Sequence, residues 1–133
     1  MPEYLSPEWF VAADEAVRAD ASLAEASRGA HLVLEQTVDP APGDEAATVV
    51  WTVRFADGLV SVSEGGAHDA DVTFHLDRAT AEAVQQGATS AQAAFMAGQL
   101  RVGGDIGALL AHQELMVGLT DVLGPLRERG RGA

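Results

Sequence analysis

The sequence predicts an α+β domain whose helices lie on one face of a β-sheet, and three observations carry this. Apolar residues recur at three-to-four spacing between Trp9 and Ala26. They alternate between His31 and Leu76, then return to helical spacing from Asp105 to about Leu123. A length of 133 residues with 47% apolar content is enough for one cored domain and too apolar for a disordered chain. The expected organisation is a single domain over 1–133, with its core at about 6–124 and a flexible Arg/Gly tail at 125–133.

Ser6, Pro7 and Glu8 mark a helix start: a capping hydroxyl, a ring suited to the first helical position and an acid at the positive end. Trp9, Phe10, Ala13, Ala16 and Val17 form its apolar stripe. Asp20 can cap a second short helix carrying Leu23, Ala24 and Ala26, which closes at Arg28 and Gly29.

From His31 the period becomes two. Leu32, Leu34, Gln36 and Val38 share one face of a first strand, and residues 40–44 read as a loop. Val49, Trp51, Val53 and Phe55 point one way on the second. Asp57-Gly58 is a hairpin turn, since a type I′ turn needs positive φ at both central residues. Leu59 to Glu64 returns as a third strand, and Asp71 to Leu76 is a fourth, completing an antiparallel meander. Asp77 or Thr80 opens a helix that Gly87 ends, and Ser90 caps a short helix with Ala93, Ala94, Phe95 and Met96. Leu100 to Val102 is a brief fifth strand. Asp105 caps the longest helix, which Gly124-Pro125 stops near Leu123.

Composition narrows the function. Twenty acids face eight bases, all arginine, for a net charge of -12; this field disfavours nucleic acid and anionic bilayers as partners. Arg127, Arg129 and Arg131 are the only basic cluster and fall in the Gly-rich tail. With no cysteine, thiol chemistry and thiolate metal sites are absent. No run reaches the roughly 20 apolar residues of a bilayer span, and no signal-peptide pattern follows Met1, so the expected compartment is the cytoplasm. The absence of lysine and asparagine beside abundant Ala, Gly and Arg suggests GC-rich coding and a bacterial source.

No residue set demands catalysis. A phosphate-cradling Walker loop needs a lysine, and Gly103, Gly104 and Gly107 lack dinucleotide-fingerprint spacing. His68, Asp69, Asp71, His75 and Asp77 are the densest polar cluster. They could hold zinc or iron or set up base catalysis, but the wet face of a strand opposite Val72, Phe74 and Leu76 accounts for them equally. His112 reads as a surface or edge histidine. Ser61, Ser63 and Ser90 lie in no nucleophile elbow. No catalytic residue, metal ligand or cofactor is expected.

The apolar residues of the last helix spread wider than one stripe, the mark of a partner, a second core layer or a ligand cavity. The plain alternative is ordinary core with a homodimer contact.

The segment from Thr89 to Ile106, with Phe95-Met96-Ala97-Gly98 before Leu100-Arg101-Val102 and Gly104-Asp105 opening the next helix, resembles the signature of the SCP2 sterol-carrier family. Ala70-Asp71-Val72-Thr73-Phe74 and Asp57-Gly58 resemble two further family features. The likeness spans roughly 8–123. It implies a five-stranded, mainly antiparallel sheet covered by helices around an apolar cavity, and cargo of the sterol, fatty acid, fatty acyl-CoA or phospholipid type. Gln99 and Arg101 stand where lysines are frequent in the family, and with the net acidity this leaves at most transient membrane contact.

The resulting expectation is non-enzymatic binding, with transfer, of a lipid in an internal cavity. Its expected lining is Trp51, Val53, Phe74, Phe95 and Met96 with Leu100, Ile106, Leu109, Leu110 and Val117. The last helix, flexing at Gly103 and Gly104, is the candidate gate; the competing reading is that these glycines only permit a tight turn and helix 105–123 is locked as core. The alternatives are an interaction module with a filled core of the same fold, and a small lipid- or steroid-acting enzyme built on His75 with Asp71 or Asp77.

Overall fold

The structure, a computed structural model, describes residues 4–40, 43 and 47–132, with backbone alone at 125 and 127–132. Two helices, α1 (Pro7–Ala19) and α2 (Ala21–Ala26), precede the strands β1 (His31–Asp39), β2 (Val49–Ala56), β3 (Leu59–Glu64) and β4 (Val72–Asp77). Then come α3 (Arg78–Gln85), α4 (Ala91–Met96), β5 (Leu100–Gly104), α5 (Ile106–Ala111) and α6 (Gln113–Gly132). Five helices start on the side chains that the sequence marks as caps. Ser6 Oγ accepts from Trp9 N, Asp20 from Leu23 N, Asp77 from Thr80 N, Ser90 Oγ from Ala93 N and Asp105 from Ala108 N, all within 3.2 Å. Each bond satisfies an N–H that has no partner inside its helix.

The sheet order is β3-β2-β1-β4-β5. Strands β1 to β3 form the expected meander, but β4 departs from it: it leaves β3 and pairs parallel with β1 on the opposite side. The cause is local. Asp71 N donates to Val33 O at 2.9 Å, Asp71 Oδ2 accepts from Val33 N at 2.8 Å, and Asp71 O accepts from Asp105 N at 2.7 Å. One residue thus ties β1, the entry to β4 and the exit of β5. Glu35 Oε2 takes Ala67 N at 2.9 Å and holds the crossing loop. The expected loop at 40–44 lies largely outside the described residues, as do the side chains of Arg127, Arg129 and Arg131.

One face of the sheet is apolar and covered. Leu34 stands between Val53 and Val72, and Val38 between Val49 and Leu76. Trp9, fully buried, meets Tyr4, Phe10 and Trp51 edge-on at centroid distances of 5.1, 5.3 and 5.5 Å, joining α1 to the sheet. The edge strand β3 is protected because Asp14 Oδ1 of α1 accepts from Val62 N at 2.9 Å.

The expected single helix from Asp105 to Leu123 is two helices, broken at His112 (φ -121°, ψ 36°), and α6 runs on through Gly124 and Pro125. The break has a geometric reason. At about 100° per residue, Leu109 and Leu115 lie some 120° apart on one cylinder. A straight helix would point them to different sides, whereas the break lets Leu109 pack partly buried against the core while Leu115, Leu119 and Leu123, on one face of α6, are buried in it. Proline lacks the N–H of one helical bond, but burial of Leu123 and Leu126 on either side outweighs that single loss. Gly118 and Gly124 allow the close seating: a Cβ would lie 3.0 Å from Leu23 Cδ1 and 3.3 Å from Gln85 O.

The opposite sheet face is polar. Arg54 clasps Asp69 with two bonds of 2.7 and 3.1 Å, and His75 Nε2 donates to Asp39. Hydrogen bonding from His75 holds the Asp39 carboxyl below the value of an isolated aspartate, and the Arg54 bonds do the same for Asp69. A folded-state pKa that is lowered contributes stability at higher pH, and the contribution is lost as pH falls through that pKa.

These contacts can be checked in two ways. NMR titration should place the Asp39 midpoint below that of an isolated aspartate and return it upward in His75→Ala; an unchanged midpoint would deny the pair. At Gly104, φ is +82° and a Cβ would lie 2.4 Å from Asp71 O, while Gly98 has φ +76° and open space around it. Gly98→Ala should cost about 1 kcal/mol from backbone strain alone, and Gly104→Ala about 2 kcal/mol more for displacing the backbone of β4. Urea unfolding compares them, and equal losses would contradict the close approach.

Candidate functional site

The alternation of β1, β2 and β4 builds the floor of a cavity. Leu34, Gln36, Trp51, Phe74 and Leu76 face it, with Leu100 from β5. The roof is Ala81, Val84 and Gln85 of α3, Ala91 of α4, and Met116, Leu119, Thr120 and Leu123 of α6, with Tyr4 at one side. Its volume is about 60 Å³. That is well under the roughly 300 Å³ at which small-molecule pockets begin, and it suits a few waters or a short apolar fragment.

Specific bonds hold the roof down. The Gln85 side-chain amide, buried, donates to Leu123 O and links α3 to α6. Arg78 donates to Tyr4 O at 2.8 Å and lies over the Tyr4 ring at 5.3 Å. The following residue, Leu5, is buried with φ +66°, a conformation unfavourable for a bulky side chain and held by these neighbours.

Of the residues expected from sequence, the structure brings Trp51, Phe74 and Leu100 together on the cavity wall. Val53 is fully buried on the same sheet face, one rung away, and Leu109 packs partly buried against the core. Phe95, Met96, Ile106, Leu110 and Val117 stand at the surface, Met96 78% and Leu110 61% exposed. Helix α4 is too short to bury more than Ala94 fully, so the adjacent Phe95 and Met96 turn outward. The break at His112 likewise turns α5 away from the cavity. Sequence reasoning passed over Gln36, Met116 and Leu119. The signal for α6 was available in the four-residue ladder Leu115, Leu119, Leu123, and Gln36 already shared the apolar face of its strand.

The polar cluster of β4 has structural occupations. His75 and its partner Asp39 lie on the sheet face opposite the cavity. Asp71 binds Val33 N, Asp77 caps α3 and Asp69 pairs with Arg54. Among the described residues, no group of three or more His, Cys, Asp or Glu side chains is placed to hold a metal ion. His112 is half-buried at the break between α5 and α6.

No curated protein matches the chain. Solved structures do. A crystal structure of sterol carrier protein 2 superposes with a TM-score of 0.76 at 24% identity, covering 92% of this chain and 98% of that one. A conserved hypothetical protein of Thermus thermophilus, whose description suggests a sterol carrier protein, gives 0.75 at 23% identity over 92% and 89%. A palmitated sterol-carrier-like protein of Aedes aegypti gives 0.59 at 22% identity over 85% and 94%. These likenesses agree on a five-stranded α+β fold with helices over one sheet face. Residues 13–117 match the SCP-2 sterol transfer family, and the chain belongs to that family.

Proposed function

We propose that this protein binds a lipid in the cavity between the apolar sheet face and helices α3 and α6, and carries it without catalysing a reaction. The observation that supports this best is the cavity itself: a mostly apolar lining, in a fold shared with sterol carriers and with a palmitated relative. Sterol, fatty acid, fatty acyl-CoA and phospholipid are the cargo classes in view. Each buried CH₂ contributes about 0.8 kcal/mol, so a long chain supplies several kcal/mol against the cost of ordering it. The working compartment in this reading is the cytoplasm, with at most transient contact with membranes. Among the described residues no helix is long and apolar enough to cross one.

Binding a whole lipid requires the roof to lift. Helix α6 is the moving part in this reading: it meets the floor through few side chains and has the break at His112 on its N-terminal side. Local opening of such an element is a low-cost motion compared with parting the sheet. The small volume favours one other reading, in which the cavity stays filled and the domain serves as an interaction module.

Native mass spectrometry of gently purified protein, followed by lipid extraction, separates the two. Co-purifying lipid or saturable binding of a fluorescent fatty acid is expected, and absence of both would favour the filled module. Met116→Asp, which puts a charge on the roof, should weaken that binding at least tenfold. Leu110→Asp, at an exposed position, should change it by less than about twofold. Hydrogen exchange in 113–124 should be fast in lipid-free protein and slow markedly with lipid, with β2 and β3 little changed. Equally slow exchange in both states would exclude α6 as the moving element.

A further inference from the structure

We propose that the cavity selects a lipid whose buried polar group is uncharged, a hydroxyl or a carbonyl, and that the Gln36 side-chain amide holds this group. The proposal rests on the lipid-binding reading above.

Gln36 occupies the middle of the central strand on the covered face, directly opposite Trp51 on β2 and Phe74 on β4. Its neighbours on that face of β1, Leu34 and Val38, are buried and apolar. Gln36 is polar among them, and its half-buried amide still reaches solvent. Gln36 lines the cavity, is half-buried, and makes no side-chain hydrogen bond among the described residues. The adjacent Trp51 also lines the cavity, and its buried indole N–H has no acceptor among the described residues. Gln36 therefore offers the cavity an amide carbonyl and an amide NH₂.

Other polar groups on the wall are occupied. The Gln85 amide donates to Leu123 O, and the Thr120 hydroxyl donates to Met116 O at 3.1 Å. Gln36 is thus placed to recognise what enters. A hydroxyl both donates and accepts and can use both ends of the amide. A carbonyl accepts from the amide NH₂.

The lining carries no charged side chain among the described residues. A carboxylate or phosphate taken inside would lose its hydration with no cation to replace it, which is far more costly than burying a neutral group. Arg78, the nearest candidate by sequence to the roof helix α3, is engaged with Tyr4 O and Glu82. An ionised lipid would have to keep its head in water, outside the cavity.

The test is displacement of a fluorescent polyene lipid by two ligands of equal chain length, 1-hexadecanol and palmitate, at neutral pH and below their aggregation limits. Wild-type protein should bind the alcohol at least tenfold more tightly. Gln36→Leu and Gln36→Met, which place apolar groups on an apolar face and should fold, should each weaken the alcohol by about three- to tenfold. They should leave palmitate within about twofold. Thermal unfolding checks that the variants are intact, and having two guards against failure of one. If both ligands bind saturably but palmitate equals or exceeds the alcohol, or if the Gln36 variants do not change the alcohol's affinity, the selectivity proposal falls and lipid binding stands. If no lipid binds saturably to wild-type protein, lipid binding itself falls and the proposal with it.

Discussion

The parallel alignment of β4 on β1, set by the three bonds of Asp71, governs how everything after residue 65 is placed. A chain leaving β3 would most simply continue the meander and add a strand at the free edge. Here that edge is closed by Asp14 of α1 at Val62 N. The chain instead crosses to the other side of β1, where Asp71 engages both polar groups of Val33 and then receives Asp105 N. Each such bond is worth only about 1 kcal/mol net. Their importance lies in register, because a slip of one residue would send Val72, Phe74 and Leu76 to the wet face. With the register fixed, Phe74 meets Gln36, β5 follows β4, and α3 and α4 have no course except over the apolar side.

The molecule combines a firm floor with a lighter roof. Its floor is a hydrogen-bonded sheet whose covered face contains fully buried Leu34, Val53 and Val72, backed by the edge-on aromatic cluster around Trp9. The roof over the cavity is tied by the Gln85 amide to the end of α6, by Arg78 to Tyr4, and by the packing of α6 on α1 and α2 through the ladder of Leu115, Leu119 and Leu123. A small volume and the family fold are compatible on this arrangement.

Most ion pairs lie away from the cavity, the exception being Arg78–Glu82 on the roof helix α3. The ion pairs Arg54–Asp69 and Asp39–His75 lie on the far face, and Asp14–Arg18 and Arg28–Glu25 lie on the outer helices. Exposed pairs of this kind add little stability. Their consequence is a net-acidic exterior around a lining that, among the described residues, carries no charged side chain.

Local chemistry was readable in advance. The caps at Ser6, Asp20, Ser90 and Asp105 act where they stand, Asp57-Gly58 makes its turn with φ of 48° and 88°, and alternation marks which side chains of β1, β2 and β4 face inward. Capping, turn and period-two signals depend on residues within a few positions of one another, and the family signature around Phe95 to Asp105 is equally local. Three features needed the folded chain. Strand order at β4 depended on a bond between residues 38 positions apart. The break at His112 and the passage of α6 through Pro125 depended on what α6 packs against. The cavity wall depended on both, which is why Phe95, Met96 and Leu110 face solvent while Gln36, Met116 and Leu119 face inward. A residue's hydrophobicity is its own, but which surface it meets is decided by elements distant in the chain.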